Sequence, residues 1–323
     1  LELRQELALV ASKKYLAALN GMSGDGVLRG QFRFFGAHTG RWAGRGVQLQ
    51  NLPQRGTIKL DDDQIAEAID RLKRDRAMDA VMLKSLVRSM FVGPFDVFDY
   101  SSIEARVIAA IAGEDWALDA FRLGRDIYVE TAERMGGLTR AEGKIAVLAL
   151  GYNGGINSLK ALGGGSLGDD KALQKLVTQW RKANPAIVSL WGDLQNAFKR
   201  GGPVGVGVVS VEKDGRDRLL RLPSGRAIVY RDVRVTQSEG PYGMRERLTF
   251  ADPRTGARGD TYGGRLAENI TQGVARDVLG DALVRLEDAG HRVAAHVHDE
   301  VIVYADGRAD EIEQLMSTAP EWA

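Results

Sequence analysis

Two aspartates lie two hundred residues apart, and each closes an apolar strand-like run; no other feature constrains this chain as much. Asp99 follows Val97 and Phe98 and precedes Tyr100, Ser101, Ser102, Ile103 and Glu104. Asp299 sits between the apolar runs Val293 to Val297 and Val301 to Tyr304. Between the two aspartates, Arg140, Lys144, Leu148 and Tyr152 recur every four residues and can line one face of a helix. Two carboxylates and a cationic helix are the parts needed to handle a nucleoside triphosphate together with two metal ions.

The chain has 323 residues, 44% hydrophobic and 27% charged, enough for one large or two intertwined domains with a sizeable core. No apolar run approaches the roughly 18 residues of a bilayer span, so no membrane role is expected. The absence of cysteine excludes disulfides and thiolate metal sites and fits a cytoplasmic protein. A net charge of +1 does not advertise nucleic-acid binding, but its distribution does. Gly26 to Leu60 contains no acid, while Arg29, Arg33, Arg41, Arg45, Arg55 and Lys59 all fall within it. The interleaved Phe32, Phe34, Phe35 and Trp42 suit a surface that tracks a nucleic-acid backbone, or equally a basic loop whose aromatics enter a core.

Leu1 in place of Met and the stop at Ala323 read as a piece of a longer polypeptide. A helix is expected through about Asn20, then a Gly-rich connector to Gln48, Leu49, Gln50, Asn51, Leu52 and Pro53. One charged helix is expected from about Asp62 to Ser89, and then a short buried strand over Val97 to Tyr100. Ser101 and Glu104 have the spacing of a capping box opening an apolar helix from Ile103 to Ala112. Helices should dominate from about Glu114 to Arg200. Short strands follow over Val204 to Val211, Leu219 to Leu222 and Ala227 to Val235, and a helix from about Arg265 to Ala289. The last unit reads as two strands joined by an exposed tip of His298, Asp299 and Glu300. No glycine cluster has the phosphate-loop pattern.

Hard cations take one or two carboxylates from a protein and complete their shell with phosphates and water, a requirement that Asp99 and Asp299 meet. On the residues alone, either aspartate also reads as a turn or cap. The Arg140 to Tyr152 segment likewise reads as an amphipathic surface helix.

Together these segments resemble a family A DNA polymerase of the bacterial DNA polymerase I type, most like its phage and prophage members. Thr39, Gly40 and Arg41, followed by Leu49 to Pro53, match one family signature. Asp99 to Arg106 resembles motif A; Arg140, Lys144 and Tyr152 match motif B; His298, Asp299 and Glu300 match motif C. The four occur in the family's order across nearly the whole chain.

The resemblance implies an α/β (α+β) right-hand polymerase core with an antiparallel-sheet palm and a mostly helical fingers insertion. Residues 1–29 would be a thumb remnant, 30–112 and 226–323 the palm, and 113–225 the fingers. It implies that Asp99 and Asp299 bind two Mg2+ ions, replaceable by Mn2+, with the Tyr100 carbonyl on one of them and Glu300 as an auxiliary acid. Arg140 and Lys144 would hold the triphosphate, Lys144 would protonate pyrophosphate, Tyr152 would stack near the templating position, and Glu104 would block a ribose 2′-hydroxyl. Arg41 and Gln272 would reach minor-groove acceptors at the primer terminus. His298 would sit near the primer phosphate, and Gln50 and Asn51 near template or primer. Asn269 would join the DNA-binding set, although it stands three residues from Gln272 where the bacterial pattern has four. Leu148 replaces the usual ring of motif B, which alters contact with the sugar. His38, His291 and His296 match no role and are expected to be structural or solvated. The segment before Thr39 is short for a thumb, so weak duplex affinity is expected.

The expected partners are primer–template DNA and deoxynucleoside triphosphates, with no processivity partner identifiable and the host cytoplasm as location for a phage-encoded enzyme. The alternatives are a single-subunit RNA polymerase, which Glu104 disfavours, a non-catalytic nucleic-acid-binding core, and a two-metal nuclease.

Overall fold

The apolar run before Asp99 does form a strand, over Phe95–Asp99, but Val97 is 57% exposed because it pairs with Ile302 on the face of the sheet away from the buried Val301 and Val303. The computed structural model describes residues 10–53, 57–75, 78–205, 207–240, 243–253 and 255–322. Arg55 and the first nine residues of the expected opening helix lie outside these.

In chain order, α1 (Val10–Gly21) leads to the two-residue strands β1 (Phe32–Arg33) and β2 (Ala43–Gly44) and a 3₁₀ turn at Leu49–Asn51. The expected single charged helix is two, α2 (Asp62–Asp75) and α3 (Ala80–Ser85). Asp61 and Gln64 cap α2 reciprocally, and the Asp79 carboxylate accepts the Met82 N–H at 2.9 Å to start α3 afresh. After β3 (Phe95–Asp99) come α4 (Ile103–Ala112), α5 (Asp115–Arg122), α6 (Ile127–Arg134), α7 (Arg140–Leu150), α8 (Ile156–Ala161), α9 (Asp170–Ala183) and α10 (Pro185–Arg200). A run of strands follows: β4 (Gly202–Val204), β5 (Val209–Asp214), β6 (Asp217–Arg221), β7 (Ala227–Gly240), β8 (Gly243–Ala251) and β9 (Arg258–Thr261). The chain closes with α11 (Gly263–Asp288), β10 (Val293–Val297), β11 (Glu300–Tyr304) and α12 (Ala309–Ser317).

Two compact units divide these elements. The first holds Leu1–Asp99 and Leu283–Ser317. Its sheet is antiparallel in the order β10-β11-β3, and the central strand β11 buries Val301 and Val303 completely. Ile312 and Met316 of α12, with Leu286, are buried in the same unit. Alternation along β11 therefore puts Val301 and Val303 on the core face and leaves Glu300 and Ile302 half-buried on the other.

The second unit holds Tyr100–Ala282 and Thr318–Ala323. Its core is built from α4, α7, α9, α10 and α11 against the sheet β4-β5-β6-β7-β8-β9, every neighbouring pair antiparallel. Pro185 opens α10, and the buried Glu114 carboxylate accepts the N–H groups of Ala186 and Ile187 at 2.9 and 3.1 Å, satisfying donors that a helix start leaves unpaired. Phe198, Tyr230 and Phe250 meet edge to face at 4.9 and 5.0 Å and tie helix to sheet. The expected short strands thus extend into six, with β7 and β8 forming a long hairpin that the sequence reading stopped at Val235.

Candidate active site

In the first unit, the β3–β11 register sets Asp99 directly opposite Glu300. Directly opposite residues have Cβ atoms about 5 Å apart, so two acids are paired across this ladder. Asp299 immediately precedes Glu300. Val297 pairs with Glu300, so the turn between β10 and β11 contains only His298 and Asp299, and Glu300 belongs to the strand instead of the expected three-residue tip. His298 turns the chain with φ 56°, a left-handed conformation that makes the two-residue reversal possible. His298 is exposed, while Asp299 and Glu300 are half-buried.

Crowding disfavours the ionised form of these acids. Burial, then the Asp99 charge, pushes the Asp299 carboxyl above the ordinary aspartate range, against the opposing pull of His298 and Arg41. Burial, then Asp99, raises Glu300 as well, with Arg88 opposing. Arg41 thus belongs electrostatically to the carboxylate group. Its neighbour Trp42 meets the His296 ring edge-on at 4.6 Å, and His296 stacks on Phe32 at 4.6 Å. His296 is therefore structural, as is the buried His291, whose Nδ1 lies 3.0 Å from Asp306 Oδ2. Gln50 and Asn51 sit together on the 3₁₀ turn, Gln50 half-buried and Asn51 exposed.

In the second unit, Thr139 and Glu142 form a capping box at the start of α7, which places Arg140 at the first helical position. Arg140 Nε donates to Asp126 Oδ2 at 2.7 Å. Burial pushes the Asp126 carboxyl up, but hydrogen bonds from Arg140 and from the Tyr128 and Val129 amides hold it below its ordinary value. The Arg140 guanidinium and the Lys144 ammonium lie 5.3 and 5.6 Å from the centre of the Tyr128 ring, so the two cations flank one aromatic residue. Leu148 follows on the helix and is 50% exposed.

The helix ends at Leu150, not at Tyr152. Asn153 takes φ 62°, and Gly154 crosses so close to the helix end that a Cβ there would lie 1.8 Å from the Ala149 carbonyl. The turn is fixed from three sides. Trp191 Nε1 donates to the Gly151 carbonyl at 3.1 Å, Arg181 donates to Asn153 Oδ1 at 3.0 Å, and Gly264 abuts the Tyr152 carbonyl. This leaves the Tyr152 hydroxyl donating to Glu104 Oε2 at 3.0 Å. Burial, then the Glu104 charge, raises the Tyr152 pKa well above the ordinary phenol range. The expected Ser101–Glu104 capping box is absent: Ser102 occupies the cap position in a left-handed conformation, and the Glu104 carboxylate is engaged by Tyr152 instead.

Asn269 donates to the buried Tyr230 hydroxyl on β7 at 2.7 Å, and Gln272 to Glu268 Oε1 on α11 itself at 3.3 Å, so these two α11 side chains take partners from different elements. The Tyr100 carbonyl accepts the Ile103 N–H at 3.2 Å. Sequence reasoning missed Asp126, Tyr128, Arg181 and Trp191. Asp126 carried a helix-start signal ahead of an apolar residue; the others carried none, because their roles arise from packing between distant segments.

Residues 2–160 match the sequence pattern of DNA polymerase family A. Over 357 residues the chain is 37% identical to the DNA polymerase of Bacillus phage SP02, covering all of this chain and 54% of that protein. The chain belongs to DNA polymerase family A. It is also 25% identical over 288 residues to DNA polymerase I of Lactococcus lactis strain IL1403, covering 85% of this chain and 28% of that one. The POL domain of Pol1 from M. smegmatis, solved with DNA primer-template and dNTP, shares its fold at a TM-score of 0.58 and 19% identity, covering 95% of this chain and 47% of that one. The mixed helix and antiparallel-sheet architecture expected of a polymerase core is therefore the one observed. The chain spans about half the length of the phage relative and less of the bacterial one.

Among the described residues no group of three or more His, Asp or Glu side chains forms a ready-made metal site. The donors around Asp99 and Asp299 still fit a hard dication, which needs only one or two protein carboxylates and here would also relieve their mutual repulsion. No helix among the described residues is long and apolar enough to cross a membrane.

Proposed function

We propose that this chain extends a primer 3′-OH with deoxynucleoside triphosphates on a DNA template and releases pyrophosphate. The observation that carries this reading is the gathering of Asp99, Asp299 and Glu300 at one end of an antiparallel sheet, in a chain of DNA polymerase family A. Carboxylates placed together cost free energy unless a cation neutralises them. The relatives are named DNA polymerases, and the solved neighbour was captured with primer-template and dNTP, which supports the same substrate classes here.

Asp99 and Asp299 with the Tyr100 carbonyl would hold two divalent ions, Mg2+ or Mn2+, with Glu300 as an auxiliary acid; when bound, such ions activate the hydroxyl and neutralise charge at the phosphate. Arg140 and Lys144 bind the triphosphate, Arg140 exchanging its Asp126 partner for a phosphate oxygen. Lys144 holds the proton that passes to pyrophosphate. Tyr152 stacks near the templating position and keeps Glu104 against the sugar, where its carboxylate excludes a 2′-hydroxyl. Leu148 offers the sugar a branched aliphatic surface. Arg41 and Gln272 reach minor-groove acceptors, His298 the primer phosphate, and Gln50, Asn51 and Asn269 the remaining template or primer contacts. In this reading 30–112 and 226–323 serve as palm, 113–225 as fingers and 1–29 as the thumb stem, with the cytoplasm, a host's for a phage enzyme, as the working compartment.

Primer extension with deoxy- against ribonucleotides tests the assignment. Wild type is expected to add deoxynucleotides preferentially, and Glu104→Ala to shrink that preference by about ten- to a hundredfold. Preferential ribonucleotide addition by wild type would replace this reading with an RNA polymerase.

The raised carboxyls also set a pH dependence. Asp299 and Glu300 have folded-state pKa values above their ordinary ones, so the folded state binds more protons between the two. Their contribution to stability is complete below the ordinary carboxylate pKa and is lost as pH rises through the raised values. Mg2+ at millimolar concentration should therefore raise the melting temperature more at pH 7 than at pH 4. Equal shifts at both pH values in a thermal melt would count against these acids as the metal ligands.

A further inference from the structure

Lys14, on α1, is buried to 8% exposure, and its ammonium donates to two backbone carbonyls, Val47 at 2.5 Å and Gln48 at 3.4 Å. Burial lowers its pKa, the expected cost of removing an ammonium from water. The other side of the same peptide segment is held by Gln31, itself buried. Its Oε1 accepts the Val47 N–H at 3.0 Å, and its Nε2 donates to the Arg29 carbonyl at 3.0 Å. Val47 is completely buried between two left-handed residues, Gly46 at φ 53° and Gln48 at φ 54°. For Gln48 that conformation is unfavourable and persists only where the surroundings enforce it.

The kink at Gln48 launches the 3₁₀ turn that carries Gln50 and Asn51. Asn51 N–H donates to the Gln48 carbonyl at 2.9 Å, and Asn51 Nδ2 to Gln48 Oε1 at 2.9 Å. The Gln50 amide is seated against Gly44, where a Cβ would come within 2.4 Å of it. The Gln48 carbonyl is thus shared between the Lys14 ammonium and the amide of Asn51. The Lys14 ammonium thus ties α1 to the bend on which both side chains depend.

We propose that Lys14, with Gln31, is a positioning residue for primer–template binding, clamping the Val47–Gln48 segment so that Gln50 and Asn51 face the nucleic acid. This rests on the polymerase reading above. Lys14 does not itself meet a phosphate; its charge is spent on carbonyls inside the protein.

The test compares Lys14→Met and Lys14→Arg with wild type, measuring primer–template affinity across a salt series alongside dNTP KM and kcat at saturating DNA. Lys14→Met is expected to raise the Kd for primer–template about tenfold. Both kcat and dNTP KM should stay within about twofold. The slope of log Kd against log salt should match wild type, whereas a lost phosphate contact would lower it by about 0.9. Lys14→Arg, which can still donate to both carbonyls, should recover most of the affinity. In a Gln50→Ala, Asn51→Ala background, Lys14→Met should add little further loss. Unchanged affinity, a reduced salt slope, or full additivity with Gln50 and Asn51 would overturn the clamp. Gln31→Leu acts on the same peptide from the other side and must give the same pattern, which keeps the test decisive if Lys14→Met folds poorly. A wild type that binds no primer–template removes the polymerase reading itself; a binding wild type with an unaffected Lys14→Met removes only the clamp.

Discussion

Asp299→Asn is expected to lower the extension rate by about a thousandfold or more while making the metal-free protein melt higher than wild type. The two effects share one cause. Asp299 is half-buried beside Asp99, and burial and that neighbouring charge both disfavour its ionised form. A neutral amide of the same shape removes the repulsion and leaves the His298–Asp299 turn its geometry. It also removes the anionic oxygen assigned to the proposed reaction, and loss of one group that stabilises developing charge in a dry site costs several kcal/mol in the transition state. A merely structural aspartate would behave differently: its loss would lower the melting temperature and leave the rate per folded molecule unchanged. Melting curves in EDTA and single-turnover extension on the same preparations separate the two. A variant that melts lower yet turns over normally would remove Asp299 from the chemistry.

Gly264→Ala should lower stability by about 2–3 kcal/mol. The new Cβ would lie 2.3 Å from the Tyr152 carbonyl and 2.6 Å from the Asn153 Cβ, and neither is the mobile end of a long side chain. Asn153 is held in a left-handed conformation and Trp191 fastens Gly151, so the turn has little freedom to retreat. What does shift should carry Tyr152 with it and loosen its 3.0 Å hydrogen bond to Glu104. The expected result is a melting temperature lower by roughly 3–5 °C, together with a reduced preference for deoxy- over ribonucleotides. A normal melting curve and unchanged sugar preference would mean that α11 and the Tyr152 turn are not in the close contact described here.

The parts legible in the sequence were those set by local pattern. Asp99 at a strand end and Asp299 between two apolar runs were visible because β-strands announce themselves by alternation, and antiparallel pairing needs only a short turn. The exact turn was not, since nothing in the residue type says that His298 adopts φ 56° and shortens the tip to two residues. The start of the Arg140 helix could be read. Its end could not, because Arg181, Trp191 and Gly264 fix the turn from elsewhere in the chain. Arg140 looked like a solvated cation, whereas its partner Asp126 lies fourteen residues earlier. The long β7–β8 hairpin escaped notice for a different reason. Its surface is laced with pairs such as Arg247 with Asp260 and Arg258 with Asp232, and its register shifts between Arg231 and Arg234, so the apolar alternation is broken. Burial of Lys14 was likewise invisible, because a lysine on an amphipathic helix ordinarily reads as solvated.

The most direct test of the account is single-nucleotide addition on four primer–templates that differ only in the next template base, with pyrophosphate counted alongside primer length. Each template is expected to select its complementary deoxynucleotide, with one pyrophosphate released per nucleotide added. Addition that ignores the template base, or shortening of the primer, would contradict it.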